Sequence, residues 1–330
     1  MSEHTDSREL KTMDYTNKTG FTIGTGRCGT LFLYQLMEME ASVASSHERN
    51  PDNEAFHRYS KWNNLPIDNE GFLSVKEREI LNDLENHTFS FEASPYLSLS
   101  VHELHERFGS KFLFLVRRPD RVVSSFVHKG FYRVPYNVRD PDLAAGYQQQ
   151  GRNPVHTFFA RISPRGDDFR TWNELTPGGT VAWFWKAFTQ RTLDLLQGLP
   201  EDCYRLVHIE DLDYNQYIEV CNFLGISSTV SDSDFHSLRT SRPHAFWNKR
   251  NLDQWSPQEI DEFEAQVGEL AENLGYEYRV ANLLDEIRAE REKAERLGLV
   301  QKKKKSIRFW RLRRMTSTWL NKLAENVDVS

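Results

Sequence analysis

Cysteine is scarce and scattered. The three residues, Cys28, Cys203 and Cys221, are far apart and odd in number. That excludes a disulfide framework and a cysteine-based metal site, and it points to a reducing compartment. No run of about 18 apolar residues occurs, so a membrane-spanning helix is not expected. The opening residues, MSEHTDSREL, lack the apolar stretch of a secretory signal. No internal repeat and no extended low-complexity tract is present, and no cluster with metal-ligand spacing emerges, so no metal is expected. These absences leave a cytoplasmic globular protein as the expectation.

What is present suffices for a core. The chain has 330 residues, 38% hydrophobic and 12% aromatic, enough for one large α/β domain or two small ones. Net charge is −6, unevenly spread. Residues 302–330 hold nine basic residues against Glu325 and Asp328, a local +7, so residues 1–301 carry −13. An acidic body argues against nucleic-acid binding. The basic stretch 302–323 also carries Phe309, Trp310 and Trp319. It could lie on an anionic membrane surface, dock on the acidic body of its own or a second chain, or form an ordinary terminal helix with a solvated face.

Residues 1–19 read as a polar leader. GFTIG (20–24), ASVASS (41–46), TFSFE (88–92), KFLFLV (111–116) and YRLVHI (204–209) read as strands. Helical patterns lie between them at 30–40, 96–107 and 179–196. Pro119 suits a helix start. Ser256-Pro257-Gln258-Glu259 is a capping box, and Gly275 ends the helix it opens. Strands alternating with helices predict an α/β three-layer sandwich, a mainly parallel sheet with helices on both faces. The polar stretch 49–87, broken by Pro51, Pro66 and Gly71, and the aperiodic stretch 130–178 read as insertions that shape a substrate pocket. The main domain is expected over 20–285 and a basic tail over 286–330.

The stretch GTGRCGT, Gly24 to Thr30, follows the first strand and opens a helix. Such a turn is an anion site, because backbone N–H groups converge there and the helix dipole favours negative charge. Its G-x-G-x-x-G spacing fits a dinucleotide loop, and Glu48, 19 residues after Gly29, fits that loop's ribose-binding acid. It also resembles a nucleotide-triphosphate loop without the lysine, since Thr30 follows Gly29 directly. Arg27 suits a highly charged terminal group better than an inner pyrophosphate. A second anion site lies at the end of KFLFLV, where Arg117 and Arg118 precede Pro119, Ser124 and Ser125. The competing reading of these arginines is a surface ion pair with Asp120 or a nearby glutamate.

Together these residues resemble the sulfotransferases that use 3′-phosphoadenosine 5′-phosphosulfate. GTGRCGT is similar to that family's 5′-phosphosulfate loop, G-T-G-R-S-G-T. LVRRPDRVVSSF is similar to its 3′-phosphate motif through Arg117, Pro119 and Ser125. VHIEDLDYNQYIEVCNFLGI (207–226) and the stretch 246–277 resemble its later segments, so the likeness runs from about 20 to 280. The resemblance implies transfer of a sulfuryl group from that donor to a hydroxyl or amine of a small-molecule, carbohydrate or lipid acceptor, with no metal. It implies donor contacts at Gly26, Arg27, Cys28, Gly29, Thr30, Arg117 and Ser125, and a late phosphate contact among Arg242, Lys249 and Arg250. Arg27 would stabilise the leaving charge. Glu48 would be the general base, with His47 its rival, and Glu92 and Tyr96 would line the acceptor pocket.

Two departures stand out. Cys28 replaces the family's serine, weakening one hydrogen bond. Its thiol reads either as a small filler of a serine slot or as a reactive group beside a helix N-terminus. No histidine occupies the stretch FEASPYL, where one branch of the family has one. Two other classes stay open: an NAD-dependent oxidoreductase, and a non-catalytic anion- or membrane-binding protein.

Overall fold

A computed structural model describes residues 14–132, 162–241 and 252–296. Five strands form one sheet: β1 (Thr19–Gly24), β2 (Val43–His47), β3 (Phe89–Ala93), β4 (Lys111–Val116) and β5 (Tyr204–His208). The order is β2-β3-β1-β4-β5, and every neighbouring pair is parallel. Chain direction across the sheet reverses at β1, so a crevice opens beyond its carboxyl end.

Strand alternation decides which helices go where. Phe21, Ile23, Phe112, Phe114 and Val116 face one core. Phe91, Ala93, Leu113 and Leu115 face the other. The helix α1 (Thr30–Glu38) covers the second face with Leu33, Leu36 and Met37, the expected stripe. Beside it packs α8 (Tyr214–Leu224). The first face receives α4 (Val101–Phe108), α5 (Pro119–His128), α7 (Pro177–Leu196) and α10 (Pro257–Asn273). The capping box at Ser256 and Glu259 is present. Trp185 and Phe188 on α7 are buried, as core packing demands.

Glu40, just past α1, is 2% exposed. Its carboxylate accepts from Tyr217 Oη (2.6 Å), Ser228 Oγ (2.5 Å), Thr229 N (2.6 Å) and Thr229 Oγ1 (2.9 Å). This knot joins α1 to α8 and the segment after it. Burial pushes the carboxyl up, but these donors more than offset that and hold it below the usual value.

Three expectations change. The stretch 49–87 forms two helices, α2 (Pro51–Trp62) and α3 (Asn69–Leu84). Pro51 is no breaker there, because it occupies the first helical turn where its missing N–H is unneeded. Within 130–178, residues 133–161 lie outside the described residues, and α6 (Asp167–Glu174) forms beyond them. The final helix, α11 (Val280–Arg296), runs through the expected boundary at 285. Ile287 is buried in the core, and Glu286 and Glu290 pair with Arg118 and Arg121. Of the remaining elements, α9 (Asp232–Thr240) flanks α8. The basic stretch 302–323 lies outside the described residues. Among the described residues no helix is long and apolar enough to cross a membrane.

Candidate active site

A cavity of about 550 Å³ opens at the carboxyl end of β1. Its floor is the turn from Gly24 to Gly29. The turn is conformationally demanding. Gly29 has φ 111, and a Cβ there would sit 2.6 Å from Ile209 Cγ1. A Cβ on Gly24 would meet the Leu115 carbonyl oxygen at 2.6 Å. Helix α1 starts at Gly29 with no side-chain cap, so its first N–H groups are offered to the turn.

Arg27 is left-handed at φ 58 despite its side chain, a conformation costing about 1–2 kcal/mol. Two contacts from the β4 end hold it. Arg117 Nη1 donates to the Arg27 carbonyl at 2.9 Å, and Arg27 Nε donates to Ser125 Oγ at 2.8 Å. The two sequence motifs therefore meet directly. Ser125 is 1% exposed and stands against Arg27 rather than in the cavity lining, while Arg117 lines the cavity. Both arginines also make ion pairs: Arg118 binds Asp120 at 2.8 Å and Glu286 at 2.7 Å, and Arg117 Nε lies 3.8 Å from Glu210 Oε1.

Gly26, Gly29 and Thr30 line the cavity with Arg27. The Cys28 side chain does not. It is fully buried beneath the turn, so only its backbone N–H could serve an anion. Burial pushes the thiol up, against the opposing pull of nearby N–H groups and Arg117. That favours the filler over the reactive thiol.

Glu48 and His47 reach the same cavity from the end of β2. Glu48 is left-handed at φ 49. Burial, and then the charge of Glu54, raise its pKa, while Arg58 and Arg27 oppose that rise. Burial lowers the pKa of His47, which keeps the ring neutral, and its Nε2 lies 3.3 Å from Thr30 Oγ1. A half-buried carboxylate thus faces a cationic turn across one cavity.

Tyr96 lines the cavity as expected. Glu92 does not. It is 3% exposed, and its carboxylate is taken by Lys76 Nζ (2.8 Å) and Arg49 N (3.0 Å). Its strand position points it into the α2–α3 layer rather than the crevice. Glu54, Glu79 and Glu92 bring carboxylate oxygens close enough for a metal, but the Lys76 ammonium binds all three. Arg242, Lys249 and Arg250 lie outside the described residues.

Arg58 was not legible as a site residue. It lines the cavity at 3% exposure, its guanidinium 4.6 Å from the Tyr96 ring centroid and 5.5 Å from that of Phe188. No signal in the sequence marked it, since it lies in the polar stretch 49–87 that read as an insertion. In the fold, Glu54 binds Lys76 and Ser94. Phe126, Phe131 and Phe184 add an apolar wall.

No protein-family model matches this chain, and no curated protein matches it. Solved structures similar to this chain include two. One is a sulfotransferase domain from the curacin biosynthetic pathway, 15% identical, TM-score 0.39, covering 79% of this chain and 98% of that one. The other is a sulfotransferase domain from the Synechococcus PCC 7002 olefin synthase, 14% identical, TM-score 0.36, covering 78% of this chain and 98% of that one.

Proposed function

We propose that the protein transfers a sulfuryl group from 3′-phosphoadenosine 5′-phosphosulfate to a hydroxyl of a small-molecule, carbohydrate or lipid acceptor. The observation that carries this reading is a single cavity lined by a half-buried carboxylate, Glu48, and by a glycine turn bearing Arg27, with Arg117 alongside. The residues suit a doubly anionic nucleotide. Gly24 and Gly29 pack against Leu115 and Ile209, which keeps the turn tight, and Gly26 and Gly29 present bare backbone to the cavity. Arg117 adds a second cation tethered to the first.

A bound donor supplies the sulfuryl group. The turn and Arg27 hold its 5′ end and stabilise the charge that develops on the leaving phosphate. Arg27 gives no proton, because guanidinium stays charged. Arg117 binds the 3′-phosphate, with Ser125 steadying Arg27. Glu48 takes the proton from the acceptor hydroxyl, whose oxygen forms the new bond to sulfur. His47 orients Thr30 and is the weaker candidate for base. Tyr96, Arg58 and the phenylalanine wall receive the acceptor.

The oxidoreductase reading loses support from strand order. In a dinucleotide fold of order 3-2-1-4-5-6, β2 lies beside β1 and brings its acid to the ribose. Here β3 separates them. Thermal shift with adenosine 3′,5′-bisphosphate, AMP and NAD tests the proposal. Stabilisation by the bisphosphate well beyond AMP is expected, and stabilisation by NAD alone would sink it.

A further inference from the structure

The turn that carries Glu48 is held from behind by a buried charge cluster. Three successive backbone N–H groups are captured there. Glu48 N donates to Ala93 O at 3.1 Å, Arg49 N to Glu92 Oε1 at 3.0 Å, and Asn50 N to Glu54 Oε1 at 3.0 Å. The Arg49 side chain is drawn away from the cavity by Asp83 (2.7 Å) and Ser46 Oγ (2.9 Å).

Both clamping carboxylates also bind Lys76, which is 0% exposed. Its Nζ lies 2.5 Å from Glu54 Oε1, 2.8 Å from Glu92 Oε2 and 2.9 Å from Glu79 Oε2. Ser94 Oγ donates to Glu54 Oε2 at 2.6 Å. Three carboxylates exceed one ammonium, and the excess raises the cost of ionising Glu92. Burial and the charge of Glu54 push Glu92 up to about 8. None of the four charged residues lines the cavity.

Burying such a cluster gains little stability, since apolar groups of similar volume commonly do as well. Its geometry has a more specific consequence. It supplies the acceptors for the two N–H groups that follow a left-handed residue, and so fixes the conformation that turns Glu48 into the cavity. We propose that Glu54 and Glu92 are positioning residues that hold the Glu48 carboxylate in its working orientation by accepting from the Asn50 and Arg49 N–H groups, with Lys76 offsetting their charge. The inference rests on Glu48 being the general base.

The test uses the full chain and three variants. Glu92→Leu removes the acceptor for Arg49 N–H. Lys76→Met combined with Glu92→Gln keeps a carbonyl oxygen there and removes the ammonium that would face the new amide. Glu48→Gln tests the base itself. In Glu92→Leu, kcat should fall roughly 10- to 100-fold, the scale of an ångström misplacement, with donor KM within about twofold. The acid limb of its kcat profile should move as well. The charge-balanced double variant should keep kcat within about fivefold of the parent, which general loss of structure would not produce. Hydrogen exchange supplies a readout free of activity: the Arg49 and Asn50 amides should be protected in the parent and exposed in Glu92→Leu. A folded Glu92→Leu with parental kcat overturns the proposal, as do unprotected amides in the parent. If Glu92→Leu fails to fold, parental exchange and the double variant decide. A folded double variant with protected amides and no turnover then overturns it. Full turnover in Glu48→Gln would instead refute Glu48 as the base and leave the clamp to the exchange data.

Discussion

Replacing Gly29 by alanine tests the geometry of the glycine turn. At φ 111, an added Cβ is strained by about 1–2 kcal/mol. It also meets Ile209 Cγ1 at 2.6 Å and Cδ1 at 2.8 Å. These are side-chain atoms, so Ile209 can turn aside for roughly 0.5–1.5 kcal/mol of off-rotamer strain. Reduced freedom of the unfolded chain returns about 0.4–1 kcal/mol. The net loss is roughly 0.5–3 kcal/mol, a melting temperature lower by about 1–5 °C for a chain of this size. A double-mutant cycle with Ile209→Ala separates the two contributions. The double variant should be more stable than the sum of the singles by about 0.5–1.5 kcal/mol, because the clash is gone while the backbone strain stays. The measurements are calorimetric melting of the four proteins and titration of each with adenosine 3′,5′-bisphosphate. Strict additivity would refute the assignment of the clash to Ile209. An unchanged melting temperature in Gly29→Ala would refute the turn geometry altogether.

Other outcomes follow from the same structure. Glu48→Gln should lower kcat by roughly 10²–10⁴ while leaving bisphosphate affinity nearly unchanged. In the parent, kcat should climb as pH rises through the elevated pKa of Glu48, since only the ionised form takes a proton. Arg117→Ala should weaken bisphosphate binding at least about tenfold, for about 1.5–3 kcal/mol of charge-assisted bonding, read by titration calorimetry. Glu40→Ala should destabilise by about 3 kcal/mol or more, because four donors lose one buried acceptor. The depressed pKa of Glu40 means its contribution is present above the unfolded value and is lost as pH falls through the folded one. Glu92 works the opposite way: held near 8, it takes up a proton on folding, so its contribution declines as pH rises from about 4.5 to about 8. Cys28 should resist alkylation in the folded protein and react on unfolding, followed by mass spectrometry.

The parts of the site that could be read from the sequence are those whose signal is local. GTGRCGT sits in one strand-turn-helix, and the β4 end in another, so local pattern brought out Arg27 and the stretch 117–125, within which the family resemblance singled out Arg117 and Ser125. Their contact with each other depends on β1 and β4 being neighbours, a property of the whole sheet. Glu48 was legible because it follows a short strand. The stretch 49–87 hid its content. The buried face of α2 and α3 mixes Ala55, Tyr59, Phe72 and Ile80 with Glu54, Arg58 and Lys76. Charged residues on a helix read as solvated unless their partners are known, and here those partners lie on other elements. The family resemblance, not a local signal, placed Glu92 in the acceptor pocket. Only the strand register shows which side of the sheet it faces.

The sheet order has a mechanical consequence. The strand that leads into the glycine turn lies in the middle, braced by a neighbour on each side, whereas the strand that ends at Glu48 is at the rim with one neighbour. Rim strands open more readily than central ones, at lower free energy than global unfolding. The two halves of the cavity therefore differ in stiffness. On the proposed function, excursions of the rim would reshape the acceptor's wall while the glycine turn stays put. Substitutions on the cavity face of α2, away from the cluster of Glu54, Lys76 and Glu92, would then retune the acceptor and leave the donor's turn intact.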